Sequence, residues 1–188
     1  MSIATQLSGA MKKLIADEFE DAVVGVSVAL SATARREEPD LGDKAACRSF
    51  LDSNLDVISK IAWVAFGVAM PINFRYRRLD KRNPGIAVCS MSEMLYDVVR
   101  CTAVHEAKLP DNLIFVRVPI IKTGNDGELV LPIDLIYGLL MAVVASPKNS
   151  GERIDGDPLF HFGGKSASIN NFWGDGTALR RMIGISHE

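Results

Sequence analysis

The chain is short of cysteine, histidine and net charge, and it has no long apolar run. Each shortage excludes something. Its three cysteines, Cys47, Cys89 and Cys101, are odd in number, far apart and without a C-x-x-C pair, so neither a disulfide framework nor a zinc knuckle is indicated. Reduced thiols in a cytoplasmic protein fit this usage. Lys and Arg number 21 against 23 Asp and Glu, a net charge of −2. That balance excludes a uniformly basic nucleic-acid coat and an acidic tail, but leaves room for a local basic patch. The longest apolar runs, residues 61–72 (interrupted by Gly67 and Pro71) and residues 135–145, fall short of the ~20 residues a bilayer span needs, so no membrane association is expected. Lys12 and Lys13 are followed within a few residues by Asp17, Glu18, Glu20 and Asp21, which the core of a signal peptide would not hold. No metal-ligating set and no cofactor motif is apparent, and none is expected.

What is there is an ordinary globular chain. Its 188 residues, 48% hydrophobic and 23% charged, suit one domain spanning residues 1–188. Apolar spacing at Met11, Leu14, Ile15, Phe19, Ala22, Val23, Val26 and Leu30 predicts a helix from Ser8 to about Ala34, with a strand over the valine-rich residues 23–30 as the alternative. Residues 35–40 read as loop. A second helix is expected from Asp43, as N-cap, to Val68, stopped by Pro71. Residues 72–87 read as a charged loop. A third helix opens at Ser90, with Glu93 three residues on as a capping box, and ends before Pro110. Two short strands, residues 113–118 and 128–131, are joined through the turn-rich residues 122–127. Residues 135–145 form a central apolar helix. A second hairpin pairs residues 159–162 with 165–169 around Gly163 and Gly164, and a short helix over residues 177–182 closes the chain. The expected fold is mainly α: a helical bundle with two inserted β-hairpins.

Three histidines make the search for chemistry short. His187 is next to last, and His161 reads as a surface histidine of a hairpin, opposite in face to Phe160 and Phe162. His105 differs, because Arg100 precedes it with four residues between. Arginine is a permanent cation shaped for phosphate, and histidine exchanges a proton near neutral pH. Together they are a minimal apparatus for cleaving RNA without metal, the histidine acting as acid or base and the arginine stabilising charge that grows on phosphorus. Five helical steps leave the two about 140° apart with ~7.5 Å of rise, so arginine's reach, loosening of the helix or a dimeric cleft must unite them. The ordinary alternatives are a helix-terminal His105 interacting with the macrodipole and an Arg100 paired with Asp97.

The segment Tyr96-Asp-Val-Val-Arg-Cys-Thr-Ala-Val-His-Glu106 resembles the signature of the HEPN superfamily (higher eukaryotes and prokaryotes nucleotide-binding), in which an arginine precedes a histidine by four to six intervening residues in an apolar helix. The resemblance covers about a dozen residues and implies an HEPN-like helical bundle. It further implies a metal-independent endoribonuclease, commonly a homodimer of toxin–antitoxin or defence systems with an antitoxin or other protein partner. Arg100 and His105 would be the catalytic pair, with Glu106 beside the histidine to orient it. Cys101 stands where many members carry Asn or another polar residue. The alternative is a non-catalytic helical module that binds a protein partner.

A second candidate is the basic segment of residues 73–82, where Arg75, Arg77, Arg78, Lys81 and Arg82 are interleaved with Phe74 and Tyr76. Cations hold phosphates and aromatic rings stack on unpaired bases, so this segment is the expected RNA-binding site, a solvated loop being the plain alternative. Residues 162–166, Phe-Gly-Gly-Lys-Ser, lack phosphate-loop spacing and read as a hairpin turn. Trp173 with Phe172 reads as an anchor for the last helix.

Overall fold

The computed structural model describes residues 2–63, 73–77, 85–97, 112–124 and 128–185. Helix α1 (Ile3–Ile15) starts at Ser2, whose hydroxyl accepts from the Thr5 amide at 3.1 Å. It ends at Asp17, held at φ 62° without being glycine. The Glu18 amide donates back to the Lys13 carbonyl (2.9 Å) and the Asp17 amide to that of Leu14 (3.3 Å), the double closure of a Schellman turn. Arg117 pairs with the Asp17 carboxylate, fastening the turn to a distant loop. The chain reverses and α2 (Phe19–Glu37) returns along α1. The backbones close in at Gly25, where a Cβ would lie 3.1 Å from that of Ala10. The single helix expected over residues 8–34 is thus two, the valine-rich stretch is helix, and residues 35–37 belong to α2 rather than to a loop.

The next expected helix is also divided. Gly42, not Asp43, caps α3 (Asp43–Ser53), and α4 (Leu55–Ala62) follows a break at Asn54. The Asn54 side chain donates to the Phe50 carbonyl at 2.9 Å, satisfying a group that the interrupted helix leaves open. Residues 64–68 of the expectation lie outside the described residues. So does the third helix beyond Asp97. Its start, α5 (Met91–Leu95), has the expected capping box, with Ser90 and Glu93 exchanging backbone-to-side-chain bonds of 3.3 and 3.0 Å. Arg48 on α3 reaches Glu93 at 2.9 Å and ties the two helices.

The strands correct the sequence reading in two places. Residues 72–87 are not all loop: β1 (Phe74–Arg77) pairs antiparallel with β2 (Ile86–Cys89). The expected first hairpin is instead a mixed three-stranded sheet. In it β3 (Leu113–Val116) runs parallel to β5 (Leu129–Pro132), while the two-residue β4 (Lys122–Thr123) lies antiparallel on the other edge of β5. Of the expected connection, residues 122–123 are strand β4, the Gly124 amide donates to the Glu128 carbonyl at 2.8 Å, and residues 125–127 lie outside the described residues. Strand β5 leads directly into α6 (Asp134–Ala145), whose residues from Leu135 on are buried except Tyr137. At Gly138 the helix touches α4 so closely that a Cβ would lie 2.8 Å from the Ile58 carbonyl oxygen. Helix α6 also packs on α2, so the core is built around α6, with α4 and α2 packed against it.

A buried polar knot fixes the chain after α6. Asn149, 1% exposed, donates to Thr33 Oγ1 (2.9 Å) and to the Val143 carbonyl (2.8 Å) and accepts from Arg36 (3.0 Å). Arg36 also pairs with Glu152 at 3.2 Å, and Glu152 accepts from the Ala4 amide at the start of α1. The expected second hairpin is present as β6 (Leu159–Phe162) and β7 (Lys165–Ser168), turned by Gly163 and Gly164 at φ 55° and 78°. Positive φ at both central residues defines the primed turn that suits a twisted hairpin. Trp173 and Phe172 are buried beside the last helix, α7 (Gly176–Ile183). Arg180 of α7 forks onto the Asp56 carboxylate of α4 at 2.7 and 3.1 Å. The observed class is mainly helical with small sheets. Among the described residues, no helix is long and apolar enough to cross a membrane.

Candidate functional site

Helix α6 reads Asp-Leu-Ile-Tyr-Gly-Leu-Leu-Met-Ala-Val-Val-Ala, with two polar side chains in twelve residues. Asp134 and Tyr137 are three apart and so project to one side of the helix. That side looks into a cleft of about 340 Å³ lined by residues of α1, α4, α6 and β6 and by Ile169. Met11, Ile61, Leu140, Phe160 and Phe162 give it an apolar lining, into which Asp134, Tyr137 and His161 bring the polar groups. Small-molecule sites typically combine a cavity of roughly 300–1,000 Å³ with a few convergent polar groups, and this cleft lies at the lower end.

The electrostatics follow from the lining. Asp134 stands at the rim, exposed as a residue, but the apolar walls take enough water from its carboxyl to push it above the usual carboxylate range. Burial likewise raises the Tyr137 phenol, and the neighbouring Asp134 charge adds to that; Arg117 works against both. Arg117 itself is held by Asp17 and lies over the Phe19 ring, 5.5 Å from its centroid. His161 is exposed, and its Nδ1 is 2.6 Å from Ser166 Oγ, the residue directly across the hairpin. That bond fixes the imidazole plane. The rings of Phe160 and Phe162 stack with centroids 6.3 Å apart, and Phe160 meets Phe172 edge-on at 6.4 Å, so the aromatic wall is braced from behind.

This cleft was not singled out from sequence, although the signal for Asp134 and Tyr137 was present as the paired polar positions of an apolar helix. The residues that were singled out fare differently. Arg100, His105 and Glu106 lie outside the described residues, as do Arg78, Lys81, Arg82 and His187. Arg75 is exposed on β1 and lies opposite Val88, itself 69% exposed. Tyr76 and Arg77 are also on β1, in register with Ala87 and Ile86. The described part of the basic segment is therefore a strand of a small antiparallel pair. His161 is on the exposed strand position expected for it, and it also borders the cleft. Cys47 and Cys89 are buried.

Two curated relatives match over nearly the whole length, the uncharacterized proteins Rv1289 of Mycobacterium tuberculosis (strain ATCC 25618 / H37Rv) and Mb1320 of Mycobacterium bovis (strain ATCC BAA-935 / AF2122/97). Each is 25% identical over 193 residues, covering 98% of this chain and 87% of the relative. No solved structure matches the chain. The Rv1289 family model matches residues 2–188, and the chain belongs to the Rv1289 family.

Proposed function

We propose that this protein is an HEPN-like, metal-independent endoribonuclease acting on single-stranded RNA in the cytoplasm. The observation that carries the reading is the Arg-x4-His spacing of Arg100 and His105 in an apolar segment that follows a well-capped helix start at Ser90. His105 takes the proton of an RNA 2′-hydroxyl, the 2′-oxygen attacks phosphorus, and the 5′-oxygen leaves with a proton from a second acid. The products are a 2′,3′-cyclic phosphate and a 5′-hydroxyl. Arg100 stabilises the charge that gathers on the phosphoryl oxygens in between, and Glu106 orients the histidine. A homodimer, its two motifs facing one cleft, supplies the second acid, and an antitoxin-like protein partner would hold the enzyme in check within a toxin–antitoxin or defence system. The exposed Arg75 supports the RNA reading, since it begins the basic run that continues through Arg77, Arg78, Lys81 and Arg82 with Tyr76 among them. The test is cleavage of end-labelled single-stranded RNA in EDTA by wild type, Arg100→Ala and His105→Ala.

The second reading is a non-catalytic module that binds a protein partner. It is favoured by the exposed aliphatic pair Ile86 and Val88 on β2, 60% and 69% exposed. Unchanged RNA in the same assay, with Ile86→Lys or Val88→Lys abolishing capture of a specific protein, would select it.

A further inference from the structure

We infer that the cleft between α1, α4, α6 and the β6–β7 hairpin binds a small organic cation, a compact apolar molecule with one protonated amine held at Asp134. Three observations lead there. First, the Asp134 carboxyl and the Tyr137 hydroxyl make no hydrogen bond or ion pair among the described residues, although both sit at an apolar cavity. Asp134 is exposed and Tyr137 only partly buried, so solvent satisfies them and both polar groups are open to an incoming ligand. Second, the charge is of one sign: no Lys or Arg is among the described residues lining the cleft, and Arg117, the nearby cation, is engaged with Asp17. An anion would meet Asp134 with nothing to balance it, whereas an ammonium gains a charge-assisted hydrogen bond at a partly desolvated carboxylate. Third, the remaining walls suit an apolar body. Phe160 and Phe162 are braced in place, Ile61 and Leu140 add aliphatic surface, and aromatic faces favour a cation nearby.

The inference stands apart from RNA cleavage, because none of the described residues lining the cleft is assigned to that chemistry. It is tested with three probes of one shape and different charge: phenethylamine, phenylacetate and 2-phenylethanol. Binding to the full chain is followed by amide chemical shifts and calorimetry. The expected result is saturable binding of phenethylamine with shifts at Asp134, Leu140 and Phe162, and affinity for the acid and the alcohol at least about tenfold weaker. Asp134→Asn should lose about tenfold in amine affinity with the fold intact by its melting curve, and Tyr137→Phe less. Equal binding of acid and amine, shifts elsewhere on the molecule, no saturable amine binding, or an unchanged affinity in Asp134→Asn would each overturn it. If Asp134→Asn fails to fold, the comparison of the three probes on wild type still decides.

Discussion

Gly138 is the position where two central helices are closest, and replacing it with alanine is a sensitive test of the packing. The added Cβ would lie 2.8 Å from the Ile58 carbonyl oxygen and 3.1 Å from its Cα, both backbone atoms that no rotamer change can move. Helices α4 and α6 must therefore separate by several tenths of an ångström along a fully buried contact. Overpacking of this kind costs about 1–3 kcal/mol, against a gain of roughly 0.8–1 kcal/mol from replacing glycine in a helix interior. The expected net for Gly138→Ala is a loss of up to about 2 kcal/mol, read as a lower urea midpoint at unchanged slope. The internal control is Gly9, also within a helix but exposed and with nothing within 4 Å of an added Cβ. There only propensity acts, and Gly9→Ala should stabilise by about 0.5–1 kcal/mol. A Gly138→Ala variant stabilised as much as Gly9→Ala would refute the packing of α4 on α6.

Other sites make different demands. Asn149→Leu leaves Thr33, Arg36 and the Val143 carbonyl without their buried partner and should cost roughly 1–3 kcal/mol in urea melts. Arg180→Ala removes the forked pair with Asp56 and should loosen the C-terminal helix first, seen as faster amide exchange over α7 before any change in α2. The pH response has a defined sign. The Ser90 amide, with Arg48, holds the Glu93 carboxyl below its usual range; burial would raise that of Glu152, but the Ala4 amide and Arg36 outweigh it and hold it low as well. Both are lower folded than unfolded, so their contribution is complete above about pH 5 and is lost as pH falls through the depressed folded values. Glu152→Gln should flatten the difference between urea midpoints at pH 7 and pH 3; an unaltered difference would contradict the assignment.

Much of this architecture can be read from residues that carry unambiguous local chemistry. Ser90 and Glu93 announce a helix start, Gly163 and Gly164 a primed turn, and the unbroken apolar run after Asp134 a buried helix, and each is found where expected. The failures have physical causes. Periodicity runs straight through Asp17 because the reversal there uses an aspartate in the left-handed region, where the equivalent turn after α7 uses Gly184 at φ 77°. Asn54 ends α3 by a side-chain bond to Phe50, which leaves the apolar stripe intact across the break. Strands β3 and β5 are similar apolar runs with turn residues between them, the pattern of a hairpin. Only the two residues of β4, too few to show alternation, reveal that β5 lies in the middle. Strand β1 is hidden by its arginines. In the candidate cleft, Asp134 and Tyr137 are legible as the polar exceptions of α6, but their union with His161 depends on where the hairpin folds back, which local spacing does not encode.

The proposed chemistry is tested most directly by the ends of the cut RNA. Single-stranded RNA labelled at its 5′ end, incubated with the protein in EDTA, should give fragments ending in 2′,3′-cyclic phosphate, and Arg100→Ala or His105→Ala should each abolish them. Intact RNA, cleavage that needs a divalent ion, or cleavage indifferent to both substitutions would contradict the account.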